Sequence, residues 1–405
     1  MTIETLKLAG LEKIRTDFAY LIARFKEMLQ SLGEEALAAA LPDGPEPPLT
    51  DPHKVADEKL AQAIGISFEL LNLVEENTAT HFRRKIETEF GLEATRGSWG
   101  ETLKQWKEAG ISEEAIAELL PNVQVMPVLT AHPTEAKRVT VLDIHRDLYM
   151  LLVKKENPRW SPNEQAEIEQ EIITLLERWW RTGEIYLEKP SLTDERNNLM
   201  HYFVNVFPEA LRLTDQRLRD AWRDAGFREE WLQWPEHFPM LHFGSWVGGD
   251  RDGHPFVTPE FTSETLALHR QAAIEMIREA LYELAANFSF SSYMNAIPEN
   301  FLMEIQVRAE LLGEAGKAAV ERNPSEPLRQ YLNLILARLS NAQGGGTDWL
   351  EGQTYQRADE LAADLKRLRD LLLDLKADRI AQKWLFPVER MVACFGFYLA
   401  KLDIR

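Results

Sequence analysis

The run Val123 to Arg146, VQVMPVLTAHPTEAKRVTVLDIHR, sets the frame for the rest of this chain. It opens as a short apolar strand, Val125 to Leu129, weakened by Pro127, which has no N–H to give to a ladder. It breaks at Thr130-Ala131-His132-Pro133 and continues as a helix from Thr134, with Val139, Leu142 and Leu148 at roughly helical spacing. A histidine therefore stands where a strand ends and a helix begins. Backbone N–H groups and the positive end of the helix dipole face that point and favour an anion there. Arg138, about one turn into the helix, adds a fixed positive charge. On local pattern alone a histidine beside proline is an ordinary loop residue, so the reading needs further motifs.

Two more stretches read as strands, and each also ends in polar chemistry. Met240 to Trp246 is followed by Gly248-Gly249, a pair that permits a sharp turn with positive φ, and then by Asp250-Arg251-Asp252-Gly253. Alternating Asp and Arg on a tight loop form an ion-pair lock, so Asp250 and Asp252 are read as loop-positioning residues. A calcium loop is ruled out because its glycine position falls on Pro255, and a P-loop because no Gly-Lys-Ser/Thr follows. The third stretch, Tyr398 to Ile404, ends on Arg405.

Everything else that is periodic is helical. Leu21, Phe25, Leu29 and Leu32 make one stripe within residues 1–40, and Leu60, Ile64, Phe68, Leu71 and Val74 make another within 51–90. Residues 41–50, with four prolines and a glycine, form a loop. A long helix runs from Glu164 to Trp180, and the helical pattern over 196–226 is interrupted by Pro208. Leu361, Leu365, Leu368, Leu371 and Leu372 form the buried stripe of a charged helix near the end. The expected organisation is an N-terminal helical region, 1–120, followed by a strand-bearing region, 121–405.

The chain has 405 residues, 45% hydrophobic and 27% charged, which suits a globular protein with an ample core. No apolar run approaches the ~20 residues of a membrane span. No basic and then apolar leader opens the chain, so a cytoplasmic location is expected. The single cysteine, Cys394, excludes an internal disulfide framework and any multi-thiolate metal site, and it reads as a small buried hydrophobe. The net charge of −19 disfavours nucleic acid and anionic membranes as partners. A site for anions must gather arginines locally against that field.

Three motifs, TAHPTE at 130–135, SWVGGDRDGHP at 245–255 and the terminal FGFYLAKLDIR, resemble signatures of phosphoenolpyruvate carboxylase and occur in the family's order. The segment around Arg178, Trp179 and Trp180 supports the same resemblance. Two departures stand out: Arg138 is preceded by Lys137 and followed by Val139 where many members carry adjacent arginines, and His254 replaces the usual Asn. These departures suggest a divergent bacterial branch. The plant-type N-terminal phosphorylation motif is not evident.

The resemblance implies a mostly α-helical chain with a few parallel strands, forming the N-terminal part of a helix-rich (β/α)8 TIM-type barrel. It implies carboxylation of phosphoenolpyruvate with bicarbonate to oxaloacetate, with His132 catalytic. Arg405, Arg251, Trp246 and Arg138 would bind substrate. It implies Mg²⁺ or Mn²⁺ held by acidic ligands in a C-terminal half not contained in this sequence, with no metal ligand here, and a tetramer in the full-length state. The 405-residue stretch alone is expected to be inactive. The rival expectation is a catalytically inactive, carboxylase-like module that binds an anionic metabolite or a partner.

Overall fold

A computed structural model describes residues 2–42, 56–130, 139–183, 191–251, 256–343 and 350–404. The chain divides into two compact units, residues 1–102 with 132–190 and residues 103–131 with 191–405. In chain order the elements begin with α1 (Ile3–Ser31), α2 (Glu35–Ala40), α3 (Asp57–Phe90), α4 (Trp99–Glu108) and α5 (Glu113–Leu119). Then come β1 (Gln124–Val125), β2 (Val128–Leu129), α6 (Val139–Lys155) and α7 (Pro162–Thr182).

The first unit is helical. Phe25 and Leu29 of α1, Leu70 and Val74 of α3, Ile144 and Leu148 of α6, and Ile172, Leu176 and Trp179 of α7 make one core. Each fully buried large apolar side chain is worth about 1.5–3 kcal/mol. The start of α7 is fixed by its own sequence. The Ser161 N–H donates to Glu164 Oε2 at 2.8 Å, the Ser161 hydroxyl oxygen accepts from the Glu164 N–H, and Pro162 occupies the first turn, where its missing N–H costs nothing. The face expected for α3 is corrected. Phe68 is 64% exposed and Ile64 also faces outward, whereas Ala63, Ile66, Leu70 and Leu73 are buried. The buried face includes small residues that large-residue periodicity passes over.

The second unit continues with α8 (Leu192–His201), which passes through a π turn, Tyr202–Val206, into α9 (Phe207–Asp224). β3 (Met240–Leu241), β4 (Gly244–Ser245), α10 (Pro259–Asn287), α11 (Glu299–Leu311), α12 (Gly313–Glu321), α13 (Pro327–Gln343) and α14 (Ala358–Asp374) follow. The short α15 (Asp378–Ile380) enters a second π turn, Ala381–Leu385, before α16 (Phe386–Phe395) and β5 (Lys401–Leu402). Pro208 thus bends its helix where a break was expected. With no N–H for the carbonyl four residues back, the helix widens, and the Phe207 N–H reaches back five residues to the Tyr202 carbonyl.

The strands form two small parallel sheets, β1–β3 and β2–β4–β5. The two share one register, since Gln124 pairs with Met240 and Val128 with Gly244. The carbonyls of Val123, Val125, Pro127 and Leu129 accept in turn from Met240, His242, Gly244 and Trp246 at 2.9–3.0 Å. The interruption falls at Pro127, which accepts but has no N–H to return. Phe243 anchors β4 from below, stacked between Phe207 at 4.5 Å and Phe395 at 5.0 Å.

The implied first part of a (β/α)8 TIM-type barrel is not what forms. Both sheets are open, and neither curls or closes. Closure requires strands long enough to tilt and stagger against neighbours on both sides. Here each strand is two residues long, and β2 and β5 each have one sheet neighbour among the described residues.

Buried charge is paired in this unit. Asp364 accepts from Arg308 at 2.7 Å, Arg338 at 3.2 Å and the Tyr355 hydroxyl at 2.6 Å. Arg369 forks onto Glu236 at 2.9 and 3.0 Å and lies 3.5 Å from Glu389, whose second oxygen has no hydrogen-bond partner. With its cation largely engaged elsewhere, burial pushes the Glu389 carboxyl up to about 8. Between the ordinary glutamate range and about pH 8 the unfolded chain ionises this group while the folded chain keeps it protonated. Stability should therefore fall as pH rises through that window. Glu389→Gln is expected to flatten that fall in urea titrations at several pH values, and an unchanged slope would remove the assignment.

Candidate active site at the strand ends

Because β2, β4 and β5 run parallel, their C-terminal ends lie side by side, and the residues that follow them belong to the three sequence motifs. Thr130 follows β2, Trp246 to Arg251 follow β4, and Asp403 follows β5. The ladder reaches this rim. The Trp246 N–H donates to the Leu129 carbonyl at 3.0 Å and the Asp403 N–H donates to the Ser245 carbonyl at 2.9 Å. His132, Arg138, Asp252 and Arg405 lie outside the described residues, as do His254 and the expected helix start at Thr134.

Trp246 and Asp403 join the second motif to the third. The indole Nε1–H donates to Asp403 Oδ2 at 3.0 Å, and both side chains are half-buried. The bond fixes the plane of the indole at the rim. Asp250 is half-buried and Arg251 is exposed at the end of the turn. The rim thus offers an indole plate held by Asp403 and, at the end of the turn that follows it, an exposed guanidinium.

The turn itself is built by two glycines with different tasks. Gly248 has φ +91° and supplies the left-handed step. Gly249 is needed for closeness, because a Cβ there would stand 2.2 Å from the Asp403 carbonyl oxygen. The N–H groups of Gly249 and Asp250 both donate to the Trp246 carbonyl, at 3.0 and 2.9 Å. The Gly248 carbonyl accepts from the Thr262 hydroxyl of α10 at 2.7 Å. Thr265, one turn on, presses against Gly248 from beneath and accepts from the buried Arg196 of α8 at 3.4 Å. Arg196 also donates to Glu264 at 2.9 Å and lies over the Phe261 ring.

Sequence reading missed Asp403, Thr262, Thr265 and Arg196 as supports. Asp403 stood inside a quoted motif, but its partner is 157 residues away. The others carry no local signal. His269 of α10 is also buried near this layer. Burial pushes its imidazole below the ordinary histidine range, against a hydrogen bond to the Ala400 backbone. Gly249→Ala must push β5 away from the turn. It is expected to cost about 1–3 kcal/mol in denaturant unfolding, and a neutral result would contradict the close packing of the two strand ends.

A family profile described as phosphoenolpyruvate carboxylase matches residues 51–405. A phosphoenolpyruvate carboxylase of Methylorubrum extorquens is 36% identical over 359 residues, covering 86% of this chain and 38% of the relative. A phosphoenolpyruvate carboxylase of Rhodopseudomonas palustris is 29% identical over 355 residues, covering 86% of this chain and 36% of the relative. One of Nostoc sp. is 29% identical over 341 residues, covering 80% of this chain and 33% of the relative. The chain thus spans less than two-fifths of the length of these relatives. On the profile match and the M. extorquens relative together, the chain belongs to the phosphoenolpyruvate carboxylase family.

Proposed function

We propose that this chain supplies the proton-accepting and phosphate-binding part of a phosphoenolpyruvate carboxylase site. The observation that carries the reading is the parallel ladder, which brings the strand ends bearing all three motifs to one rim. In the proposed reaction a bicarbonate oxygen attacks the phosphorus of phosphoenolpyruvate. The bond from phosphorus to the enol oxygen breaks, and its electron pair stays on the enolate of pyruvate. His132 accepts the proton of the resulting carboxyphosphate, which separates into CO₂ and phosphate. The methylene carbon of the enolate then attacks CO₂ to give oxaloacetate. An imidazole is a side chain suited to proton acceptance near neutral pH.

Arg405 and Arg251, with Arg138, take the phosphate and carboxylate charge, for which the bidentate guanidinium fork is suited. Trp246 covers the methylene carbon and keeps water from protonating the enolate. Its bond to Asp403 supports that role by fixing the ring. Asp250 and Asp252 position the loop.

A divalent metal would stabilise the enolate in a family site. Among the described residues no group of three or more His, Cys, Asp or Glu side chains is placed to hold one, and the Asp403 carboxylate is engaged by Trp246. The described residues by themselves therefore offer no ligand set for Mg²⁺ or Mn²⁺. Among the described residues no helix is long and apolar enough to cross a membrane.

The test is an oxaloacetate assay with phosphoenolpyruvate, bicarbonate and Mg²⁺. It compares the 405-residue chain alone with the same chain joined to the remaining sequence of the M. extorquens relative. Activity is expected only in the joined protein. His132→Asn in that protein should abolish oxaloacetate formation while leaving some phosphate release. Undiminished carboxylation would sink the role of His132, and a well-folded joined protein without activity would favour an inactive anion-binding module.

A further inference from the structure

α11 carries apolar residues on two opposite sides. Phe301, Ile305 and Ala309 recur every four residues and are buried in the core of the second unit. Met303, Val307 and Leu311 recur at the same interval but two residues out of step, which is about 200° round the helix. This second row faces outward, with Met303 57% and Val307 64% exposed and Leu302 and Leu311 exposed beside them. A surface helix ordinarily turns polar side chains outward, and a helix that is apolar on both sides is ordinarily covered on both.

The row is prolonged beyond the end of the helix. Gln353 Nε2 donates to the Leu311 carbonyl at 3.0 Å, and its Oε1 accepts from the Leu350 N–H at 3.0 Å. Gly352, at φ +85°, brings this turn so close that a Cβ there would stand 2.7 Å from Leu311 Cδ2. Leu350 is thereby held next to the helix end, and it is 68% exposed. Contiguous apolar surface of this kind is the usual mark of an interaction face.

The charges beside the row decide what can lie on it. Glu299 stands four residues before Met303 and Glu310 three after Val307, so both border the row, and Glu351 adjoins Leu350. All three are exposed, and none has an ion-pair partner among the described residues. Cations close by in the sequence are engaged, Arg308 with Glu304 at 2.9 Å and Asp364 at 2.7 Å, and Lys317 with Glu314 at 3.0 Å. The surplus along the face is therefore negative. A second copy of this chain would set like charges against one another, and so would an anionic membrane. A partner with cations beside its own apolar row is complementary.

The M. extorquens relative is matched over 38% of its length, so most of that protein lies outside the match. We propose that the outward face of α11 is the docking surface for a helix in the part of a family protein that lies outside this chain, one whose apolar row is flanked by lysine or arginine. That row lies along Met303, Val307 and Leu311, and its cations stand against Glu299, Glu310 and Glu351. The proposal rests on membership of the family and not on the reaction assigned to the strand ends.

The test is thiol accessibility in Val307→Cys, made in the 405-residue chain and in the same chain joined to the remaining sequence of the M. extorquens relative. Cys394 is buried and keeps the background low, and the site of maleimide attachment is read by peptide mass spectrometry. The introduced thiol is expected to react freely in the chain and about tenfold more slowly or worse in the joined protein, at every protein concentration. Adding Glu299→Lys and Glu310→Lys to the joined protein should restore most of the rate. Equal rates in the two proteins, protection that is lost on dilution and so comes from a second copy, or protection indifferent to the two lysines would overturn the proposal. None of these readouts involves oxaloacetate, so an inactive joined protein still decides the matter. A joined protein that fails to fold is replaced by overlapping peptides of the remaining sequence, probed with the unmodified chain and with Val307→Asp. At least one peptide with cations beside an apolar row should bind the unmodified chain and bind Val307→Asp about tenfold more weakly, and the absence of any such peptide would overturn the proposal.

Discussion

β4 is the strand on which the second unit is assembled. It is two residues long, yet it is paired on both edges, with β2 on one side and β5 on the other, in the same parallel sense. A parallel ladder has one consequence that no single motif could achieve alone: whatever follows each strand emerges on the same side. Segments separated by more than a hundred residues are thereby delivered to one rim. Phe243 holds this strand down by stacking between an aromatic from α9 and one from α16. The helices thus fix the height of the sheet, while the ladder fixes its register.

The close contacts at the rim follow from that register. Gly249 can approach the Asp403 carbonyl only because it has no Cβ, and the approach lets Trp246 reach the Asp403 carboxylate. Thr262, Thr265 and Arg196 brace the same turn from beneath. Side chains held on both sides in this way are preorganised, which is what a site that must orient a charged substrate requires. For the anionic substrate proposed here, the acidic character of the whole chain makes this placement more important, because an attracting field has to be local.

Much of this was legible in the sequence, and the failures have physical causes. The three strand positions, the weak point at Pro127 and the turn at Gly248 followed from local rules, because proline and glycine act through their own backbones. The strands proved much shorter than their apolar runs, since hydrophobicity reports burial and does not report pairing. The face of α3 was misread because Ala63 and Ser67 are buried through close approach, which depends on a partner helix. The barrel came from the resemblance, and the open sheets correct it. The bond from Trp246 to Asp403 and the brace through Arg196 both join distant segments, so no window along the sequence could contain them.

The proposed site requires the three-stranded ladder to exist as one cooperative unit in solution. The most direct measurement is amide hydrogen exchange, resolved by residue, at Gly244, Trp246, Lys401 and Asp403, whose N–H groups all donate across the sheet. A cooperative ladder makes all four exchange slowly and with a common opening free energy, because the segment Phe243 to Trp246 takes part in every one of these bonds. Slow exchange at Gly244 and Trp246 with fast exchange at Lys401 and Asp403 would mean that β5 is not paired, and the convergence of the three motifs would fall with it.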